Sequence, residues 1–155
     1  MMKFHFISSN SKEAQIAKKE FVNSYLQSDP ESADVIIPIG GDGILLKSLH
    51  DFNSLNKPFF GINFGSVGFL MNSANKSNLE ETINSSKSTE LKPLKMIAKD
   101  DKNKTYESIA YNEVSLMRQS HQASKFEIKI NEITRMNELI CDGVLVSTSA
   151  GSTAY

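Results

Sequence analysis

The sequence predicts an α/β domain with a parallel sheet over residues 1–88, followed by a β-rich domain over residues 89–155 that is incomplete in this chain. In the first part, apolar runs alternate with segments of helical periodicity, which is typical of a parallel sheet covered by helices. Beyond the serine-rich stretch from Asn84 to Thr89, apolar residues recur at every second position, as in antiparallel strands. The final residues are small or carry hydroxyls and resemble a binding turn, so we expect a truncated chain.

Strands and helices alternate through the predicted first domain. Its helices are indicated by apolar residues three or four positions apart and by capping pairs at their starts. Pro38 cannot donate to a strand ladder, so we place it at the end of the second strand. The predicted elements are a strand from Phe4 to Ile7, a helix capped by Asn10 and Glu13, a strand from Ala33 to Ile39, a helix opening at Ile44, a strand from Phe59 to Asn63 and a helix capped by Ser77 and Glu80.

Antiparallel strands are predicted for the second domain. Asn131 and Glu132 are expected to form a hairpin turn between two of them. The strands are expected at Leu94–Lys99, Tyr106–Met117, Phe126–Ile130, Ile133–Met136 and Gly143–Ser147.

Composition narrows the classes of function. The chain has 155 residues, a formal charge of -1 and 39% hydrophobic residues, which suits a soluble globular protein. It has no basic run and no apolar stretch of membrane-spanning length, so neither nucleic acid nor a membrane is an expected partner. The start has no signal-peptide pattern, and we expect a cytoplasmic location. Cys141 is the one cysteine, and the three histidines lack ligand spacing, so no metal site is assigned.

The most informative segment is the strand Val35–Ile37 with the following turn Gly40-Gly41-Asp42-Gly43 and a helix. Glycines let the backbone approach a ligand closely, and the N–H groups at a helix start bind phosphate well. In such a turn, the Asp42 carboxylate can take a proton or hold a metal beside the phosphates. The combination predicts phosphate chemistry. A strand-to-helix turn with an aspartate cap would explain the same residues if this turn stood alone.

Two better-known phosphate loops do not fit this turn. A Walker-type loop needs glycine directly before Lys47-Ser48, and Leu46 stands there instead. A dinucleotide fingerprint that begins at Gly41 would need its third glycine at the position of Leu46. It would also place Asp42 where a pyrophosphate has to approach. Both loops are therefore excluded.

Four motifs in order resemble the NAD kinase family. They are Gly40-Gly41-Asp42-Gly43, a second glycine turn from Gly61 to Leu70, the segment from Asn112 to Leu116, and the segment from Asp142 to Tyr155. The resemblance implies an enzyme that uses ATP or inorganic polyphosphate, with Mg²⁺ or another divalent cation, to phosphorylate the 2′-hydroxyl of the adenosine ribose of NAD, giving NADP. It also implies a homo-oligomer, either a dimer or a tetramer, and a β-rich domain that continues past the last residue.

The same resemblance implies roles for individual residues. Asp42 would be the catalytic base that accepts the hydroxyl proton, and Gly40, Gly41 and Gly43 would form the phosphate-donor loop. Amide and carboxylate side chains suit a ribose diol and a nucleotide amine. The residues expected to bind NAD are Gly43, Leu46, Phe69, Leu70, Asn112, Glu113, Asp142, Thr153, Ala154 and Tyr155.

The chain departs from the family pattern at four positions. Ile44 replaces a usual threonine after the first glycine turn, and Ile140 replaces a basic residue often found two places before Asp142. Ser149 and Ala150 stand where the family usually has proline and threonine. None of these changes touches the expected base. Two alternatives stay open: a lipid kinase of the diacylglycerol kinase type, which shares only the first glycine turn, and a non-catalytic dinucleotide-binding fragment.

Overall fold

The structure is a computed structural model that describes residues 1–65, 68–73 and 78–153. The chain divides into two compact units, Met1–Glu90 and Leu91–Tyr155. Strands and helices alternate through the first unit, as the sequence predicts. Its elements are β1 Phe4–Ser8, α1 Lys12–Tyr25, β2 Val35–Gly40, α2 Asp42–Asp51, β3 Ile62–Asn63 and α3 Leu79–Ser85.

The first unit is built on a parallel sheet with the strand order β1-β2-β3. Successive side chains of a strand point to opposite faces of the sheet. Phe6 stacks on Phe21 of α1, whereas its neighbour His5 meets Phe52, the residue after α2, with ring centroids 5.6 Å apart. The two helices therefore cover opposite faces of the sheet. No helix within the described ranges is long and apolar enough to cross a membrane.

The central strand β2 is buried along its whole length, which accounts for its continuous apolar run. Pro38 lies inside this strand opposite Ile7, so its predicted place at the strand end is wrong. The backbone nitrogen of Pro38 is on the edge of β2 that faces β3. On this edge Ile36 pairs with Phe59 through an isolated bridge, and the regular β2–β3 ladder begins only at Ile39. The proline is tolerated because the ladder is interrupted at its position. The predicted third strand is shortened to two residues for the same reason.

Both predicted helix caps are wrong by one residue. Ser11, and not Asn10, caps α1, because Ser11 has the extended backbone of an N-cap and its side chain accepts the N–H three residues on. Asn78 caps α3, and its side chain likewise accepts the N–H three residues on. The expected cap Ser77 lies outside the described residues. In both helices the capping residue and the N–H that it accepts are three residues apart, as in the predicted pairs, but both lie one position later in the chain.

Antiparallel strands make up the second unit. They are β4 Leu94–Lys99, β5 Thr105–Ala110, β6 Glu113–Met117, β7 Ser124–Ile130, β8 Ile133–Cys141 and β9 Gly143–Ser147. The described strands pair as three two-stranded sheets: β4 with β5, β6 with β9, and β7 with β8. The hairpin turn predicted at Asn131 and Glu132 is confirmed, and both residues have positive φ, at 51° and 63°.

One predicted strand of the second unit is wrong. The run Tyr106–Met117 is two strands, β5 and β6, interrupted at Tyr111 and Asn112. The interruption is needed because β5 pairs with β4 whereas β6 pairs with β9. Alternation of apolar residues continues across the break, so the pattern alone could not reveal the change of partner. The break places Asn112 and the first residue of β6, Glu113, at a strand start.

Candidate functional site

The first glycine turn is shaped by close backbone contacts. Gly40 ends β2 with φ at 150°, and a Cβ there would lie 2.9 Å from Ser9 Oγ. Gly41 is the extended N-cap residue of α2, so the helix begins at Asp42 and not at Ile44 as predicted. A carboxylate in the first turn of a helix is stabilised by the helix dipole. Asp42 therefore belongs to the helix start, with Gly40 and Gly41 leading into it.

The Asp42 carboxylate connects the two glycine turns. Its Oδ2 accepts the backbone N–H of Phe69 at 2.9 Å, and its Oδ1 accepts the N–H of Leu70 at 3.0 Å. The turns also approach each other directly, because a Cβ on Gly65 would lie 3.1 Å from Gly41 Cα. An ionised carboxylate has about four acceptor positions, so two of them stay open for a ligand. The carboxylate is thus fixed in place without being saturated.

Two asparagines support the second glycine turn, and the sequence reasoning missed both. The main-chain N–H and the Nδ2 of Asn72 donate to the carbonyl oxygen of Gly61, at 2.8 and 3.0 Å. The N–H of Asn63 donates to the carbonyl of Asn72. The side-chain Oδ1 of Asn63 accepts the N–H of Gly65 at 2.9 Å. An asparagine directly after an apolar strand is the signal that could have indicated this role.

The remaining predicted site residues of the first unit differ in exposure. Gly43 is exposed on α2, and a Cβ there would have nothing within 4 Å. Leu46 is half-buried three residues further along the helix, on the same side. Leu70 is half-buried, whereas Phe69 is 72% exposed although its backbone is held by Asp42. An exposed aromatic ring on a backbone held in this way offers a flat apolar surface to a ligand.

In the second unit, Asn112 contacts the turn that follows β9. The N–H of Thr148 donates to the Asn112 carbonyl at 2.7 Å, and its Oγ1 donates to the Tyr111 carbonyl and accepts the N–H of Gly151. A Cβ on Gly151 would overlap the Asn112 carbonyl, so only glycine fits there. Burial raises the pKa of the Tyr111 phenol above its usual range. Glu113 is exposed beside this cluster.

Three predicted residues complete the last motif. Thr153 belongs to a 3₁₀ turn that runs from Gly151 to Thr153. Ala154 and Tyr155 lie outside the described residues, so their expected place in an NAD pocket stays a prediction.

Asp142 lies at the far end of the β6–β9 ladder from Asn112. Glu113 pairs with Ser147 at one end, and Met117 pairs with Gly143 at the other. Four residue steps of strand separate the two ends by about 14 Å. Asp142 is exposed and forms an ion pair with Arg118, whose Nε lies 2.5 Å from Asp142 Oδ1. The sequence reasoning did not single out this arginine.

Metal ligands are sparse in the part of the chain that the structure describes. It contains no group of three or more His, Cys, Asp or Glu side chains that could hold a metal ion. Mg²⁺ in phosphoryl-transfer sites is usually bound by one or two carboxylates together with substrate phosphates and water. Asp42 is a carboxylate that could join such a set.

Comparison with known proteins identifies the family. The model of the ATP-NAD kinase N-terminal domain matches residues 2–91. An NAD kinase of Brucella melitensis is 48% identical over 151 residues, which are 97% of this chain and 59% of that protein. An NAD kinase of Rickettsia canadensis is 50% identical over 137 residues, covering 88% of this chain and 54% of that protein. The chain belongs to the NAD kinase family, and it spans somewhat more than half the length of these relatives.

The fold is also found in a solved structure. The crystal structure of yeast NADH kinase complexed with NADH matches with a TM-score of 0.76. The match covers 100% of this chain and 60% of the yeast chain, at 20% sequence identity. This similarity supports the fold, including the predicted order of an α/β part followed by β-structure.

Proposed function

We propose that this chain carries the phosphoryl-transfer site of an NAD kinase, which phosphorylates the 2′-hydroxyl of the adenosine ribose of NAD and forms NADP. The observation that carries this proposal is the Asp42 carboxylate, held at the start of α2 by two backbone N–H groups of the second glycine turn. Membership of the NAD kinase family supports the choice of substrate.

Asp42 acts as the general base. The 2′-oxygen attacks the terminal phosphorus of the donor, the bond from that phosphorus to the leaving phosphate oxygen breaks, and the hydroxyl proton passes to Asp42. The two N–H groups fix the orientation of the carboxylate, so its open acceptor positions face a defined direction. The N-terminus of α2 and the N–H groups of the glycine loop hold the donor phosphates.

The residues proposed to bind NAD are those that the family resemblance implies. Gly43, Leu46, Phe69 and Leu70 supply the surface next to the base. Amide and carboxylate groups at the start of β6 bind ribose hydroxyls, and Asp142 accepts a hydrogen bond from a nucleotide amine or amide. The full set is Gly43, Leu46, Phe69, Leu70, Asn112, Glu113, Asp142, Thr153, Ala154 and Tyr155.

The phosphate donor is ATP or polyphosphate, accompanied by Mg²⁺ or another divalent cation that neutralises phosphate charge when bound. The absence of a three-ligand protein cluster in the described residues favours a cation that arrives with the donor. The protein works as a homo-oligomer, a dimer or tetramer, which is supported by the exposed apolar residues of β6 and β9. A single cysteine, Cys141, suits a reducing, cytoplasmic setting.

A lipid kinase is not favoured, because the resemblance to NAD kinases extends through 97% of the chain and far beyond the first glycine turn. A dinucleotide-binding fragment without turnover remains the second candidate, and a direct assay separates the two. The 155-residue chain is compared with an extended form, defined as this chain continued past Tyr155 with the corresponding sequence of the Brucella melitensis relative. Each is incubated with NAD, Mg²⁺ and either donor.

NADP formation by the extended form would support the proposal, and the preferred donor is read from the same assay. If the extended form binds NAD, measured by calorimetry, but forms no NADP with either donor, the proposed reaction is wrong and the binding-module alternative stands. If neither form binds NAD, both candidates fail.

A further inference from the structure

Asp142 lies between β8, which pairs with β7, and β9, which pairs with β6. Cys141, the last residue of β8, pairs with Ser124, whereas Gly143, the first residue of β9, pairs with Met117. The backbone of Asp142 is nevertheless fixed, because its carbonyl accepts the N–H of Arg118 at 2.9 Å. The side chain of Asp142 is 72% exposed, so its carboxylate projects outward from a rigid corner.

Arg118 holds that carboxylate from one side. Its Nε donates to Asp142 Oδ1 at 2.5 Å, and its Nη1 donates to the carbonyl of Ser120. The guanidinium is planar and rigid, so two acceptors at different edges fix its orientation. Within the described residues, Asp142 Oδ2 has no hydrogen-bond partner. The arrangement therefore engages one oxygen of the carboxylate and leaves the other directed at solvent.

Stability alone does not account for this pair. Exposed ion pairs contribute little to folding stability, and Lys125–Glu138 on the β7–β8 hairpin is such a pair, exposed at both ends. Arg118 differs because its side chain is only 30% exposed and is anchored at a second acceptor. An anchored arginine restricts the carboxylate to one orientation, which matters for a ligand that approaches the open oxygen.

We propose that Arg118 is a positioning residue that orients Asp142, so that Oδ2 accepts a hydrogen bond from an exocyclic amine or carboxamide of NAD. This inference rests on the proposed function, in which Asp142 binds NAD. A carboxylate oxygen accepts and never donates, so the site selects an N–H donor and rejects a ligand that presents a carbonyl or carboxylate at the same place.

The test measures selectivity between NAD and two analogues by calorimetry. In nicotinamide hypoxanthine dinucleotide a carbonyl replaces the adenine amine, and in nicotinic acid adenine dinucleotide a carboxylate replaces the carboxamide. The proteins are the parent, Arg118→Met, Arg118→Lys and the control Lys125→Gln, each as the 155-residue chain and as the extended form. We expect the parent to bind one analogue at least about 10-fold more weakly than NAD, as for a lost charge-assisted hydrogen bond.

Arg118→Met should weaken NAD binding about 10-fold and leave the disfavoured analogue unchanged, so that the selectivity collapses. Arg118→Lys should give an intermediate selectivity, because an ammonium keeps the charge but not the two-point anchoring. Lys125→Gln should behave as the parent, and thermal melts should be alike for all four proteins.

Other outcomes overturn the inference. If Arg118→Met weakens all three ligands equally, the arginine is only structural, and if it weakens none, the pair has no role in binding. If the parent binds NAD without preference over either analogue, Asp142 does not accept a hydrogen bond from an amine or carboxamide of NAD, although the NAD kinase proposal stands. If neither form of the parent binds NAD, the proposed function fails, and the inference fails with it.

Discussion

Asp42 has to meet two demands with one carboxylate. It must hold the backbone of Phe69 and Leu70, and in the proposed reaction it must also accept a proton from a ribose hydroxyl. Each oxygen uses one acceptor position for the backbone and retains another. The two tasks are therefore compatible, and the first one supplies the fixed geometry that the second requires.

Asp42→Asn should lower kcat for NADP formation by about 10²- to 10⁴-fold in the extended form, because the amide cannot take the proton. The structure adds a second effect, since an asparagine presents N–H donors to one of the two backbone N–H groups that Asp42 accepts. We therefore expect KM for NAD to rise as well. Steady-state kinetics measure both quantities.

The control for this variant is Asp51→Asn, on the same helix. Asp51 pairs with Lys47, and both side chains are substantially exposed, so its loss should leave kcat unchanged. Near-normal kcat in Asp42→Asn would contradict the assignment of Asp42 as the base.

Gly43→Ala separates folding from ligand approach. A Cβ at this position would have nothing within 4 Å, and alanine favours a helix over glycine by up to about 1 kcal/mol. The variant should therefore melt at the same temperature as the parent or higher. If donor or NAD approaches Gly43 as proposed, the added methyl should still lower kcat/KM by about 10-fold or more. Unchanged kinetics would mean that neither substrate comes close to this residue.

At the scale of elements, periodicity predicted most helices and strands but missed features that depend on tertiary contacts. The first helix follows from apolar spacing, because its buried residues Ala14, Ala17 and Phe21 recur three and four positions apart. Pro38 was misplaced because local chemistry argues against proline in a central strand, while the interruption of the β3 ladder is a tertiary event. Alternation likewise could not show that β5 and β6 have different partners.

As with the helices and strands, only part of the candidate site was predictable from the sequence. The glycine turns and Asp42 were indicated by residue type and order, because few other structures need glycines around an acid. The two backbone bonds of Asp42 could not be predicted, since they join residues 27 and 28 positions apart in the chain. The support from Asn63 could not be predicted either, because it depends on the geometry of a single turn. Arg118 was missed because an arginine after a strand has no distinctive spacing signal.

Gly151→Ala tests the contact between two elements, the start of β6 and the turn after β9. A Cβ at Gly151 would overlap the Asn112 carbonyl, so the turn has to shift away. Overpacking of this kind typically costs about 1–3 kcal/mol of stability. We expect a lower melting temperature and weaker NAD binding.

Ser149→Ala, at an exposed position of the same turn, is the control and should change stability by no more than about 0.5 kcal/mol. Equal melts for the two variants would contradict the close contact.

At the scale of the whole molecule, the two units differ in how they bury apolar residues. In the described residues, every buried apolar side chain belongs to the first unit, from Phe4 to Leu79. On β6 and β9, by contrast, Leu116, Met117 and Leu145 are at least 60% exposed. Exposed apolar strands with open edges tend to associate with other strands. We therefore expect further protein surface, from the rest of a longer chain or from a second copy, to cover these strands.

We predict that the 155-residue chain will not turn over NAD by itself, whereas the extended form will. Thr148 ties the turn from Thr148 to Thr153 to the carbonyls of Asn112 and Tyr111. We expect the rest of the turn to need the residues of the extended form for its exact position, and a displacement of about 1 Å in a catalytic arrangement can cost about 10²-fold in rate. NADP formation, thermal melts and sedimentation of the two forms measure the difference, and the short form should also self-associate. Comparable activity from both forms, with a cooperative melt of a monomeric short form, would contradict the prediction, because the 155 residues would then suffice for a stable catalytic site.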